Sequence, residues 1–181
     1  MRLTILASGS GGNATLVSAG ETHVLIDAGI APRMVEARMK ATLGGVVDVR
    51  AIVTTHAHGD HIGKLDACAL HFAAPVYLTE ATARAVRVAE GVRARIYGRK
   101  AHFQVGELGV HPFPVPHDAP QVALVFEHRY ARAGLVTDLG HVPQGLRDHL
   151  RGCQLVMLES NHDPEMLRAG PYPEFLKARI A

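Results

Sequence analysis

The chain has 181 residues, 48% hydrophobic and 20% charged, with a formal net charge of +2. That is room for one substantial core rather than two independent ones, and the charge is too small to imply nucleic acid by itself. Cys68 and Cys153 are the only cysteines, far apart and in no CxxC pattern, which points to buried free thiols rather than a disulfide or a cysteine metal site. No apolar run approaches membrane-spanning length, and "MRLTILASGSGGN" lacks the apolar core of a signal peptide, so the expectation is a cytoplasmic protein with no membrane partner.

In chain order, "RLTILAS" reads as a first strand, broken by Gly9, Gly11 and Gly12, with "ATLVS" and "HVLIDAG" as short strands separated by the turn "AGET". From Pro32, the spacing of Met34, Val35, Arg38, Met39 and Leu43 fits a helix ended by Gly44-Gly45. "RAIVTT" is a short β-branched strand, "KLDACALHFA" a helix opened by Gly63, and "PVYLT" the next strand. "EATARAVRVAE" carries alanine and arginine at helix-favouring positions. Beyond it the pattern is mainly β: "AHFQV", "LGVHPFPV", "VALVFEH" and "RAGLVTD", with turns at Gly106, Gly109 and Arg129-Tyr130. "PQGLRDHLR" is a short helix, and "QLVMLES" a buried strand ending at Glu159. Two sheets' worth of strands alternating with helices predict one α/β domain over residues 1–181, with helices on the outer faces of a β core.

The stretch "TTHAHGDHIG", residues 54–63, hangs from the end of "RAIVTT" and concentrates His56, His58, Asp60 and His61. In an extended segment His56 and His58 point the same way, and a turn into the following helix redirects Asp60 and His61 towards a neighbouring point. That arrangement supplies two pairs of ligands to two adjacent cations. Imidazoles with carboxylates suit Zn²⁺, Mn²⁺ or Fe²⁺, whereas Mg²⁺ and Ca²⁺ want oxygen alone. Later strand ends offer more: "PVPHDAP" sets His117 between prolines, and "GLVTDLG" sets Asp138 before a glycine. Taken singly, the first is an ordinary loop histidine and the second a helix or turn cap. Together with the first cluster they fit the converging ligands of an open catalytic metal site.

Two other features are less specific. Arg84, Arg87, Arg93, Arg95, Arg99 and Lys100 fall in a stretch holding one acid, Glu90. Both a solvated helix face and a phosphate-facing edge fit that pattern. "SGSGGN" lacks the GK[ST] of a nucleotide P-loop and reads as a tight turn needing a positive φ at Gly11 or Gly12, with Asn13 pinning the backbone. His23, His71, His102, His111, His128 and His149 fall away from these motifs and read as structural or surface residues.

"THAHGDH" resembles the HxHxDH signature of the metallo-β-lactamase fold superfamily, with His117 and Asp138 at its next two metal-binding motifs. "ASGSGGNATLV", "PFPVPHDA", "LVTDLG" and "ESNHDPEMLRAGPYP" are similar to the YycJ-type subgroup of bacterial metal-dependent 5′-to-3′ DNA exonucleases, and the likeness runs from residue 3 to the last residue. The resemblance implies an αββα sandwich with a dinuclear site at one edge of the β core. His56, His58 and His117 would hold the first cation, Asp60 and His61 the second, with Asp138 bridging both, and the ions would be Zn²⁺ or Mn²⁺. Asp60 and Asp138 would be the catalytic carboxylates. Asp27 matches a position that hydrogen-bonds ligand histidines, which fixes their orientation and raises their basicity. His162, in "ESNHD", fits a supporting layer or a structural turn, with substitution for an absent ligand of the second cation as the alternative. Ser10 and Asn13 lie on a loop that in this fold approaches the metal edge, and with Arg93 and Arg95 they are the candidate contacts to a DNA substrate. In the subgroup the segment resembling "YPEFLKARI" continues into a Gly-His-Leu-Ser-Asn motif whose histidine completes the second metal shell. This chain stops at Ala181, so the C-terminal part of the second half is expected to be missing.

Two cations about 3.5–4 Å apart would let a shared water ionise near neutral pH and attack phosphorus. His141 and His162 are the candidate general acids. The competing reading is a hydrolase of a small ester, thioester or lactam, because the same metal core serves those chemistries. A third is a metal-binding module without catalysis.

Overall fold

The computed structural model describes residues 1–159, 163–174 and 177. In chain order the elements are β1 (Arg2–Ala7), β2 (Ala14–Ala19), β3 (Thr22–Ile26), α1 (Pro32–Leu43), β4 (Ala51–Val53), α2 (Gly59–Ile62), α3 (Leu65–His71), β5 (Val76–Thr79), α4 (Glu80–Ala85) and β6 (Ala94–Tyr97). They continue with β7 (Phe103–Val105), β8 (Leu108–Val115), β9 (Gln121–His128), β10 (Ala131–Val136), α5 (Leu146–His149), β11 (Leu155–Leu158) and α6 (Pro164–Ala169). Strands β1 to β6 form one six-stranded sheet in sequence order, antiparallel through β3 and parallel from β3 to β6. The second, five-stranded sheet has the order β11-β10-β9-β8-β7, antiparallel except for the β10–β11 pair.

The central strands are apolar on both faces because both are covered. Alternation along β2, β3 and β4 sends Val17, Val24, Ile26, Ala51 and Val53 to one face and Leu16, Leu25 and Ile52 to the other. The first set meets Leu108, Val110, Val122, Leu124, Phe126 and Leu135 of the second sheet, all at most 2% exposed, in the layer between the sheets. The second set packs under α1 and α3 through Val35, Met39, Leu65, Cys68 and Ala69. In α1, Val35 and Met39 lie one turn apart on the buried face, and Pro32 opens the helix where its missing N–H costs nothing. On the outer face of the second sheet the cover is smaller, Leu146 of α5 and neighbouring Leu150 against Phe113, Val115, Ala123 and Val136 of the strands. The αββα expectation therefore holds for the described residues, with one outer layer thinner than the other.

Several local expectations are corrected. The helix over "EATARAVRVAE" stops at Ala85: Val86 turns extended, and Val86, Val88 and Val92 pack onto the first outer core instead. The Asp66 carboxylate then accepts the Ala89 N–H at 3.1 Å and holds the loop. The arginine-rich stretch that follows contains a strand, β6, concealed because Ala94, Arg95 and Ile96 are all exposed and only Tyr97 is buried. The helix after the histidines begins at Gly59, breaks at Lys64 and resumes at Leu65. "QLVMLES" contains a strand, but not a buried one: Leu155, Val156 and Leu158 are 50%, 41% and 51% exposed on the edge strand β11. Cys68 is buried and Cys153 half-buried, both as free thiols. Among the described residues no helix is long and apolar enough to cross a membrane.

Candidate metal centre

The parallel strands β3 and β4 end side by side, and the polar cluster grows from those ends. Asp27 follows β3 with φ 60°, a left-handed conformation that aspartate tolerates better than most residues. Its N–H donates to Val53 O at 2.9 Å. Its Oδ1 accepts the Thr55 N–H at 2.7 Å, and its Oδ2 accepts from Thr55 Oγ1 at 2.9 Å and from His61 Nδ1 at 2.7 Å. Thr55 Oγ1 in turn lies 3.0 Å from His56 Nδ1. One buried carboxylate thus fixes two imidazoles, one directly and one through a hydroxyl.

The histidine turn is pinned from its other side by the glycine-rich loop. Asn13 N–H donates to Asp60 O at 2.7 Å, Gly29 N–H to Asn13 O at 2.9 Å, and Ala28 N–H to His61 O at 2.6 Å. This approach requires glycine: a Cβ on Gly29 would lie 1.8 Å from Asp60 O. Gly12, at φ 139°, would place one 2.7 Å from Gly29 O. The positive φ expected at Gly11 or Gly12 falls on Gly12, and also on Gly9. The Asn13 amide reaches the candidate ligands, with Nδ2 3.1 Å from Asp60 Oδ2 and 3.0 Å from His61 Nε2.

The second sheet contributes its own loops. His117 follows β8, and Asp138 follows β10 at φ 50°. Gln121 Nε2 donates to Thr137 O, Asp138 N–H donates to the Glu159 carboxylate, and Gly140 N–H donates to Pro116 O at 3.1 Å. The last bond ties the two loops to each other. Burial pushes the Glu159 carboxyl up from its ordinary value.

These elements bring His56, His58, Asp60, His61, His117 and Asp138 to one place. The His56 ring centroid is 4.6 Å from that of His58, 4.2 Å from His61 and 5.0 Å from His117. Asp138 Oδ2 lies 2.7 Å from His61 Nε2 and 3.8 Å from His56 Nε2. Asp60 Oδ2 is 3.6 Å from His61 Nε2. Two triads have ligand atoms within 4.8 Å of one another, His56–His58–His117 and His56–His61–Asp138.

The donor set fits divalent cations, and its hydrogen bonding supports this independently. His56 Nε2 is buried with no hydrogen-bond partner and faces Asp138 Oδ2 at 3.8 Å, an expensive arrangement unless something electropositive sits between them. Burial, reinforced by His61, pushes the His56 pKa down to about 3, which leaves a bare lone pair on the imidazole. Burial also opposes charge on His61, but Asp138 and Asp27 beside it prevail and raise its pKa to about 10. The Asp138 carboxyl is pulled up by burial and, more strongly, held below its usual range by His61, His56 and His117. A proton on His61 and a cation therefore compete for the same acceptors.

The remaining candidates fall elsewhere. Ser10 is exposed on the loop before Asn13. Arg93 lies at the start of β6, towards the opposite end of the parallel strands from the histidines, with Nη2 on Ala73 O at 2.8 Å. Arg95 Nη1 donates to Tyr77 Oη at 3.1 Å, its guanidinium 5.6 Å from that ring's centroid. His162 lies outside the described residues, and His141 is exposed. Sequence reasoning missed Thr55, Asp118 and Glu159. Asp118 directly follows His117, and Glu159 ends a strand as Asp27 and Asp138 do, so position alone carried a weak signal for both.

Comparison with known proteins agrees with this geometry. A family model described as "Beta-lactamase superfamily domain" matches residues 22–173. The exodeoxyribonuclease YycJ of Bacillus anthracis is 35% identical over 99% of this chain and 70% of its own length. The exodeoxyribonuclease WalJ of Streptococcus pneumoniae is 30% identical over 99% of this chain and 69% of its own. Among solved structures, Zn²⁺-bound PqqB from Methylobacterium extorquens aligns over 96% of this chain and 78% of its own with a TM-score of 0.73 at 19% identity, a likeness of fold.

Proposed function

Because the chain belongs to the β-lactamase superfamily, in its YycJ-type branch, we propose that it is a metal-dependent phosphodiesterase that shortens DNA from the 5′ end. The observation that carries the reading is the pair of triads sharing His56, with Asp138 Oδ2 and His56 Nε2 left as buried acceptors between them. The exodeoxyribonuclease names of the two relatives supply the substrate class. His56, His58 and His117 would hold one cation, Asp60 and His61 the other, with Asp138 between them, and Zn²⁺ or Mn²⁺ suits that donor set.

Divalent ions held by these residues would supply a water acidic enough to ionise near neutral pH and positive charge for the phosphoryl and leaving oxygens. The chain's own part is preorganisation. Asp27 and Thr55 hold His61 and His56 in one ring orientation each, and the 9–13 loop seats Asp60 through its carbonyl. The Asn13 amide borders the second triad, and a phosphate passing there would also be within reach of the 9–13 loop, on which exposed Ser10 lies. The DNA partner and the free thiols fit a cytoplasmic setting.

The test is to incubate the metal-free protein with Mn²⁺ or Zn²⁺ and end-labelled single- and double-stranded DNA, beside a generic ester and a β-lactam. Stepwise loss from the 5′ end that a chelator stops is the expected result. Turnover of the ester or lactam with DNA untouched would replace the reading with that of a small-molecule hydrolase.

A further inference from the structure

Each fastened imidazole in the cluster shows one ring nitrogen to the candidate cation positions and the other to an oxygen. His56 keeps Nε2 bare and turns Nδ1 to Thr55 Oγ1 at 3.0 Å. His61 turns Nε2 to Asp138 and Nδ1 to Asp27 at 2.7 Å. His58 is reversed. Its Nδ1 faces His117 Nε2 at 3.1 Å, so its outward nitrogen is Nε2, and Asp118 Oδ1 lies 3.4 Å from it. The same carboxylate oxygen is 2.9 Å from His117 Nε2. Asp118 therefore spans the two members of the first triad that come from different sheets, with its side chain 33% exposed, far more open than Asp27 at 4%.

We propose that Asp118 is a positioning residue for the first cation. Its carboxylate faces the Nε2 side of His58 at ion-pair distance, leaving Nδ1 as the ligand atom, and it sets a negative charge against His117 Nε2, the nitrogen turned to His58. An oxygen on the far nitrogen of a ligand histidine fixes the ring's orientation and raises its basicity. Asp27 performs that task for the buried half of the cluster, and Asp118 performs it at the solvent side. The inference rests on the reading of the cluster as a divalent-cation site.

The experiment is calorimetric titration of the metal-free protein with Zn²⁺, with a thermal melt of each metal-free variant. The binding event lost in His58→Ala identifies the first site. Asp118→Ala is expected to weaken that event by about 10–100-fold while leaving the other event and the metal-free melting temperature unchanged. Asp118→Asn, which keeps an accepting oxygen but not the charge, recovers part of the loss. First-site affinity within twofold of wild type in Asp118→Ala would overturn the proposal. So would a loss spread equally over both events with a lowered melting temperature, which marks a folding defect. A wild-type protein that takes up no Zn²⁺ would instead remove the metal reading beneath it.

Discussion

The two sheets carry the candidate site on unequal foundations. Beneath His56 and His61 the first sheet is sealed on both faces, by α1 and α3 outside and by the second sheet inside, and both imidazoles are at most 1% exposed. Their orientation is set by buried Asp27 and by backbone bonds that leave no room for a Cβ at Gly29. His117 and Asp138 instead stand on loops of the second sheet, whose outer face rests on one short helix and whose edge strand β11 leaves Leu155, Val156 and Leu158 in solvent. The difference teaches that half of the cluster is fixed by the core, whereas the other half depends on a few polar tethers between loops.

The largest expected effect crosses that divide. His58→Ala, from the end of the first sheet, and Asp138→Ala, from the tethered half, should each reduce DNA hydrolysis to background while a far-ultraviolet spectrum stays native. Wild-type-like turnover in either would break the assignment. Next comes Ile52→Ala in β4, the strand that leads into the histidines, with an expected loss of about 3–4 kcal/mol in denaturant unfolding, as for other fully buried large-to-small changes. A loss under about 1 kcal/mol would show that the first half is less tightly filled than its burial says. Gly29→Ala should cost about 2–3 kcal/mol by overpacking and weaken metal uptake at Asp60–His61, and calorimetry reads both. Unchanged uptake would free the 9–13 loop from its supporting role.

A subtler contrast lies in pH. The His61 pKa is raised from 6.5 to about 10, so the folded metal-free protein retains a proton that the unfolded chain gives up. The stability this supplies is complete below about pH 6.5 and drains away as pH climbs through about 10. A cation in place of the proton should flatten that slope, and melts with and without Zn²⁺ across this window measure it. Parallel slopes would mean that the ion does not displace the His61 proton. The smallest effect belongs to the exposed edge: Leu158→Ser should alter stability by no more than about 0.5 kcal/mol, and a larger loss would show that this strand is covered in solution.

The first half of the cluster was legible because its ligands are contiguous. Residues 56–61 follow an apolar strand, and that juxtaposition is visible without any knowledge of the fold. His117 and Asp138 were legible because each ends a strand beside a turn residue, although only the fold shows that those ends meet. Strand β6 was hidden because Ala94, Arg95 and Ile96 are exposed while Tyr97 is buried, a pattern that looks like a solvated helix face. Arginine spacing announces charge but not direction, so the bonds of Arg93 to Ala73 and Arg95 to Tyr77 could not be anticipated. Glu159 works through the backbone N–H of Asp138, an interaction that leaves no mark on side-chain pattern. β11 reads as buried because its residues are uniformly apolar, and composition cannot tell an edge from a centre.

Asp27 has a consequence that reaches beyond its own bonds. Its carboxylate grips His61 directly and His56 by way of Thr55; His61 belongs to one triad and His56 to both. Filling one position would reach the other wherever it shifts this shared anchor. Thermodynamic reciprocity then requires that whatever the first ion does to the affinity of the second, the second does in equal measure to the first.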